Sequence, residues 1–285
     1  MVGVGRFALE TLRPTFRLMR RLNFALVALL ACSACNMVDV YQAQIDRATR
    51  AIESAPTDRA RAAAYADRGR GYSDKARLSI ARKLIDRDAY LRLFALALQD
   101  HDRAVALASG DAQVHFQRGL TYYDRAAWVE GVDSDRTSWF DAARADFSTA
   151  VRQDPSHATA YDYLGLVDEQ TGRIDEAVAD YTHVMALEPR LGKSRLADLY
   201  CNQGQAHLRE KQFDLAADAL EKSVELAGLA DGCSCEPYNS LAYVYIEATG
   251  QYDKGWELVR KARGSGHMIA REYVERLEKA SGRRG

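Results

Sequence analysis

The sequence is short of three things, namely an excess of one charge, proline, and runs of β-branched residues. Each shortage excludes a class of protein. Lys plus Arg number 39 and Asp plus Glu 40, a formal net charge of −1, so composition supplies no basic face for phosphates and no nucleic-acid partner is expected. Only five prolines occur in 285 residues, too few to interrupt long helices often. Val and Ile never run together as buried strands require. Ala, Leu, Arg, Glu and Asp dominate, and 47 % of the residues are apolar, so an all-α chain with a buried core is expected. Catalytic signatures are missing too. His101, His115, His157, His183, His207 and His267 show no HExxH spacing, and there is no G-x-S-x-G elbow. Gly192-Lys193-Ser194 imitates the end of a phosphate loop, but Leu187 stands where that loop's first glycine belongs. Gly3-Val4-Gly5 with Ala8 imitates a dinucleotide fingerprint inside a targeting region. No catalytic residue, cofactor or metal ligand is therefore assigned, and the chain reads as a non-enzyme.

The first forty residues differ from the rest. An arginine-studded stretch from Arg6 to Arg21 leads into Leu22–Ala31, where Asn23 is the only polar residue. Read from Met19, this is a charged n-region followed by an apolar h-region too short to span a bilayer. Leu29-Leu30-Ala31-Cys32 resembles the lipobox of bacterial lipoproteins, with Leu at −3, a small residue at −1 and Cys at +1. That resemblance makes Cys32 the lipidated residue, because its thiol receives the diacylglycerol. Cys35 is the weaker match, lacking Leu three residues upstream. Ordinary cleavage and an uncleaved anchor through Val38 stay open. Ser33 at +2, where Asp would retain such a lipoprotein at the inner membrane, implies the outer membrane facing the periplasm. A soluble periplasmic or inner-membrane protein is the alternative.

From Arg61 onward the sequence repeats itself, most cleanly in Ala158–Leu191. Tyr161, Leu164 and Gly165 fall on one face of a first helix, and Ala177, Tyr181 and Val184 on one face of a second. Gly165 and Ala177 are small where helices cross closely, Tyr181 is the large knob beside them, and Pro189 ends the second helix. Thr171-Gly172-Arg173 supplies the turn. This pattern resembles the tetratricopeptide repeat, a 34-residue helix–turn–helix. It departs from the family at Asp168, where an aromatic residue is usual.

The same frame implies repeats over about 62–111, 112–157, 158–191, 197–230 and 235–268. The first carries an insertion containing Leu84, Ile85, Leu91 and Phe94. The second has longer helices around a Gly131 turn, with Ser134-Asp135 as N-cap. The last carries one extra residue near Gly250. Residues 1–35 are the signal region, 36–61 a capping helix and linker, and 269–285 a second capping helix and tail. What the resemblance implies is a right-handed superhelical solenoid whose first helices line a concave wall. At the family's groove positions stand Gln113, Phe116, Gln117, Leu120 and Tyr123, then Asp162, Tyr163, Leu166 and Gln170, then Asn202, Gln205, Asn239 and Tyr243. Rings and amides in this mixture suit a protein or extended peptide. The alternative is that several of them only pad the superhelix. Ala66, Arg70, Gln117, Thr159 and Tyr163 do not form the cationic clamp by which family members hold a C-terminal carboxylate.

Cys201 of the fourth repeat and Cys233 or Cys235 of the fifth can form a disulfide in an exported protein, with free thiols as the alternative. The functional expectation is a membrane-tethered adaptor. A self-associating structural solenoid, using the inserts near Trp128 and Trp139, and a small envelope enzyme are the other readings.

Overall fold

A computed structural model describes residues 39–128, 135–227 and 236–283. The lipobox region with Cys32 and the cysteines Cys233 and Cys235 lie outside the described residues. Among the described residues all regular structure is helical. The helices are α1 (39–54), α2 (Asp58–Ala81), α3 (Arg87–Leu107), α4 (Ala112–Trp128), α5 (Arg136–Gln153), α6 (Ala158–Gln170), α7 (Ile174–Leu187), α8 (Pro189–Arg209), α9 (Phe213–Ala227), α10 (Pro237–Ala242), α11 (Tyr252–Gly264) and α12 (Arg271–Ser281). The chain forms two compact units, Met1–Gly131 and Val132–Gly285, so the expected second repeat contributes α4 to one and α5 to the other.

Within each unit, helices adjacent in sequence pack together: α2 with α3, α6 with α7, α8 with α9, and α10 with α11. One contact repeats in the first three of these pairs. At the eighth position of the unit stands a residue with no side chain, and the twenty-fourth position fills the space it leaves. A Cβ on Gly165 would lie 2.6 Å from a ring carbon of Tyr181, and one on Gly204 2.5 Å from Leu220 Cγ. In the first repeat the same role falls to Gly69, where a Cβ would lie 2.8 Å from His101 Nε2. His101 is thus a packing residue. Its exposure is 0 %, burial pushes its imidazole down to about 3, helped by Arg70 and Arg118, and Nε2 lies 3.0 Å from Thr121 Oγ1. The neutral ring acts as a polar knob.

Insertions are absorbed without loss of register. In the first repeat the extra residues lengthen both helices, α2 to 24 residues and α3 to 21. Asp86 caps α3 by accepting from Ala89 N at 2.7 Å, and Leu84 is left exposed in the turn. The single extra residue of the fifth repeat appears as a π-helix, Tyr243–Ala248, continuing α10. A π-turn holds one residue more than an α-turn, and Thr249 N accordingly donates to Val244 O five residues back. Gly250 then turns the chain at φ 65°, a left-handed value that glycine adopts without strain.

One cap and one boundary depart in detail from expectation. Asp135 stands at the N-cap of α5, as the sequence implies, but its side chain makes no cap hydrogen bond. The first helix of the fourth repeat begins at Pro189, not 197. Pro189 ends α7, since it has no N–H to give, and for the same reason fits the first turn of α8. Gly192-Lys193-Ser194 is therefore helical, and Gly192 sits directly over the backbone of Met185 in α7.

A helix stands before the paired helices and another after them. From α1, Ile45 and Ala48 are buried, and Lys75 of α2 donates to Gln42 Oε1 at 2.6 Å. At the other end, Leu277 of α12 is 0 % exposed and closes the cluster containing Leu241, Tyr245, Trp256 and Val259. Trp256 Nε1 donates to Ser281 Oγ at 2.9 Å.

Changing Gly192 to Ala puts a methyl group into the Met185 backbone, and is expected to destabilise the second unit by about 1–3 kcal/mol. At an open helical site the same change would stabilise by up to about 1 kcal/mol. Urea unfolding followed by circular dichroism distinguishes the two signs.

Candidate binding surface

Phe116, Gln117 and Tyr123 belong to α4 in the first unit. Phe116 is only 7 % exposed, so it serves the core more than a groove. Gln117 is half-buried and its Oε1 has no hydrogen-bond partner. Tyr123 is half-buried and engaged with neighbours. Of the other positions on this helix, Gln113 is exposed and Leu120 buried.

The second unit holds the remaining five. Asp162 is 5 % exposed and receives both nitrogens of an Arg195 fork, Nε to Oδ1 at 2.6 Å and an Nη to Oδ2 at 2.8 Å. This two-point geometry is the strong form of a carboxylate–guanidinium pair. Asp162 thereby ties α6 to α8 and is committed to that contact. Tyr163 is half-buried, its ring 5.6 Å from that of Phe147 on α5. Asn202 is exposed and donates to Glu169 Oε1 at 3.1 Å, while the Tyr181 hydroxyl donates to Glu169 Oε2 at 3.2 Å. Glu169 so joins α6, α7 and α8. Asn239 accepts from Ala270 N at 2.8 Å and donates to Glu236 at 2.9 Å, which fixes the chain entering α12. Tyr243, in the π-helical turn, is 41 % exposed. Gln205 on α8 is exposed.

Of the wall residues, Asp162, Phe116 and Asn239 are spent on structure, Gln205 and Tyr243 are exposed, and Asn202 is exposed while bonded to Glu169. Sequence reasoning missed Arg195, which lies between the expected third and fourth repeats. The signal was available in the acid at a wall position one helix pair away. It also treated Asp168 as a weakened contact. Asp168 is instead an ion-pair centre, 1 % exposed, receiving Arg144 at 2.5 Å and Arg173 at 2.9 Å.

Cys201 is buried and disulfide-bonded, as expected for it, and its expected partners fall outside the described residues. Trp139 of the proposed self-association insert is half-buried and engaged with neighbours. A cavity of about 330 Å³ between α9, α10 and α11 is lined partly by Glu221, Val224, Tyr245 and Lys254. Its rim is largely self-paired, since Tyr245 donates to Glu221 and Lys254 lies 3.5 Å from the same carboxylate. Among the described residues no cluster of His, Cys, Asp or Glu is arranged to hold a metal ion, and no helix is long and apolar enough to cross a membrane.

Paired helices that nest glycine against knob and hand each pair to the next define a helical-repeat protein. Residues 156–228, spanning α6 to α9, match the family model of the tetratricopeptide repeat, so the chain carries tetratricopeptide repeats there. Among solved structures, MamA shares 18 % identity, covering 74 % of this chain and 92 % of that one, at a TM-score of 0.41. YrrB, a TPR protein with an unusual peptide-binding site, shares 14 %, covering 74 % and 86 %, at 0.38. Human IFIT1, solved as a dimer with m7Gppp-AAAA, shares 16 %, covering 77 % and 47 %, at 0.49. Likeness at this level transfers neither ligand nor partner.

Replacing Arg195 by Met leaves Asp162 in a low-dielectric site without its cation. Arg195 is itself 32 % exposed, and solvent reduces the loss. A destabilisation of about 1–3 kcal/mol is expected in urea unfolding, and the double change with Asp162→Asn should recover part of it.

Proposed function

We propose that this protein is a lipid-tethered scaffold of the bacterial envelope that binds an extended segment of another protein along the first helices of its repeats. The observation that carries the binding part is the solvent-facing set on the second unit, where the amides Asn202 and Gln205 and the ring of Tyr243 remain exposed. Amide side chains both donate and accept, as a peptide backbone requires, and a half-exposed tyrosine offers an apolar face with a polar tip. The repeat match over 156–228 supports the scaffold reading, because solenoids present extended surfaces built from successive units. The reading assigns no enzymatic role. Charge balance argues for a protein partner over a nucleic acid. Tethering rests on Leu29-Leu30-Ala31-Cys32 and its resemblance to a lipobox.

Both halves are testable in one experiment on the full-length chain. Affinity capture from envelope extract should lose its partners when Gln205 and Tyr243 are both changed to Ala, with the circular dichroism spectrum unaltered. Fatty-acid labelling of the same preparations should vanish in Cys32→Ser. Equal capture by parent and double variant contradicts the binding surface, and labelling that survives Cys32→Ser contradicts the tether.

A further inference from the structure

The cavity between α9, α10 and α11 is set apart from the wall, since none of the wall residues lines it. It holds about 330 Å³, at the small end of the range of roughly 300–1,000 Å³ in which small-molecule sites fall. Its lining joins two kinds of surface. Val224, Leu241 and Leu258 are buried and apolar. Around them stand the carboxylates of Glu221, Glu225 and Glu257 and the ammonium groups of Lys254 and Lys261, three negative charges against two positive.

Part of that charge is settled within the lining. Glu221 accepts from the Tyr245 hydroxyl and lies 3.5 Å from Lys254 Nζ, and the same Nζ sits 5.1 Å from the centre of the Tyr245 ring. What remains is Glu225, Glu257 and Lys261, which are exposed and enter no ion pair among the described residues. Burial raises the Tyr245 phenol above its ordinary range, and the hydrogen bond to Glu221 and the charges of Glu221, Glu257 and Asp218 raise it further. The potential at that hydroxyl is therefore negative. Tyr245 is supplied by the π-helical turn Tyr243–Ala248, and single π-turns recur at functional sites.

We propose that this cavity binds a small organic cation, an ammonium group carried on an apolar stem. The stem lies against Val224, Leu241 and Leu258, where it leaves water for an apolar surface. The ammonium stays at the mouth and offsets the excess carboxylate charge. An anion of the same length meets that excess as repulsion, and a neutral alcohol leaves it unbalanced. Carboxylates this exposed attract weakly, so the site discriminates by the sign of the ligand's charge together with its apolar length. It does so whether or not the wall binds a peptide.

Methyl NMR of the full chain reads the site. Pentylammonium should shift the Leu241 and Leu258 methyl signals, whereas pentanoate should leave them in place. Changing Glu225→Gln and Glu257→Gln together, at two exposed positions, should weaken pentylammonium binding by about fivefold and leave the circular dichroism spectrum unaltered. Methyl signals that do not respond to pentylammonium, or respond equally to pentanoate, overturn the proposal, and so does an unchanged affinity in the double variant. Two further ligands separate the sources of such a group. Tighter binding of a diaminoalkane than of a blocked lysine amide assigns the site to a free amine, and the reverse assigns it to a lysine of a partner protein.

Discussion

Two helices approach closely only where one of them carries no side chain, and the rest of this fold depends on that approach. Gly69, Gly165 and Gly204 each lie under a single bulky residue of the following helix: His101, Tyr181 and Leu220. The knobs differ in chemistry, and the geometry is the same. Each is fully buried, where a well-packed apolar side chain contributes about 1.5–3 kcal/mol. Nesting sets the distance between helices, and that distance allows the turns to be short and the next pair to follow in register.

Register in turn makes the polar contacts possible. The Arg195–Asp162 pair joins α8 to α6, and Glu169 gathers Tyr181 and Asn202 from α7 and α8. Neither contact would form if one helix pair slipped by a residue. Where the sequence does contain an extra residue, the π-helical turn at Tyr243–Ala248 confines it to the first helix, and α11 still meets its partners.

Helix pairing and its small-to-large contact were legible because they obey a fixed spacing. What was not legible depends on partners distant in sequence. Asp162 and Asn239 read as groove residues by position alone, yet Arg195 and the backbone of Ala270 engage them. Asp168 read as a defect, because a missing ring is visible in one line of sequence, whereas two arginines converging from α5 and from the turn after α6 are not. Pro189 was read correctly as a terminator, but its equal fitness for a first turn hid the early start of α8.

A double-mutant cycle on Gly165 and Tyr181 measures the nesting most directly. Gly165→Ala alone should destabilise the second unit by about 1–3 kcal/mol. In a Tyr181→Val background, where the clashing ring atoms are gone, most of that penalty should disappear, leaving a coupling energy of at least about 0.5 kcal/mol. Costs that simply add would mean the helices are not held apart or together by this contact, and the packing described for these three pairs would have to be rebuilt on another basis.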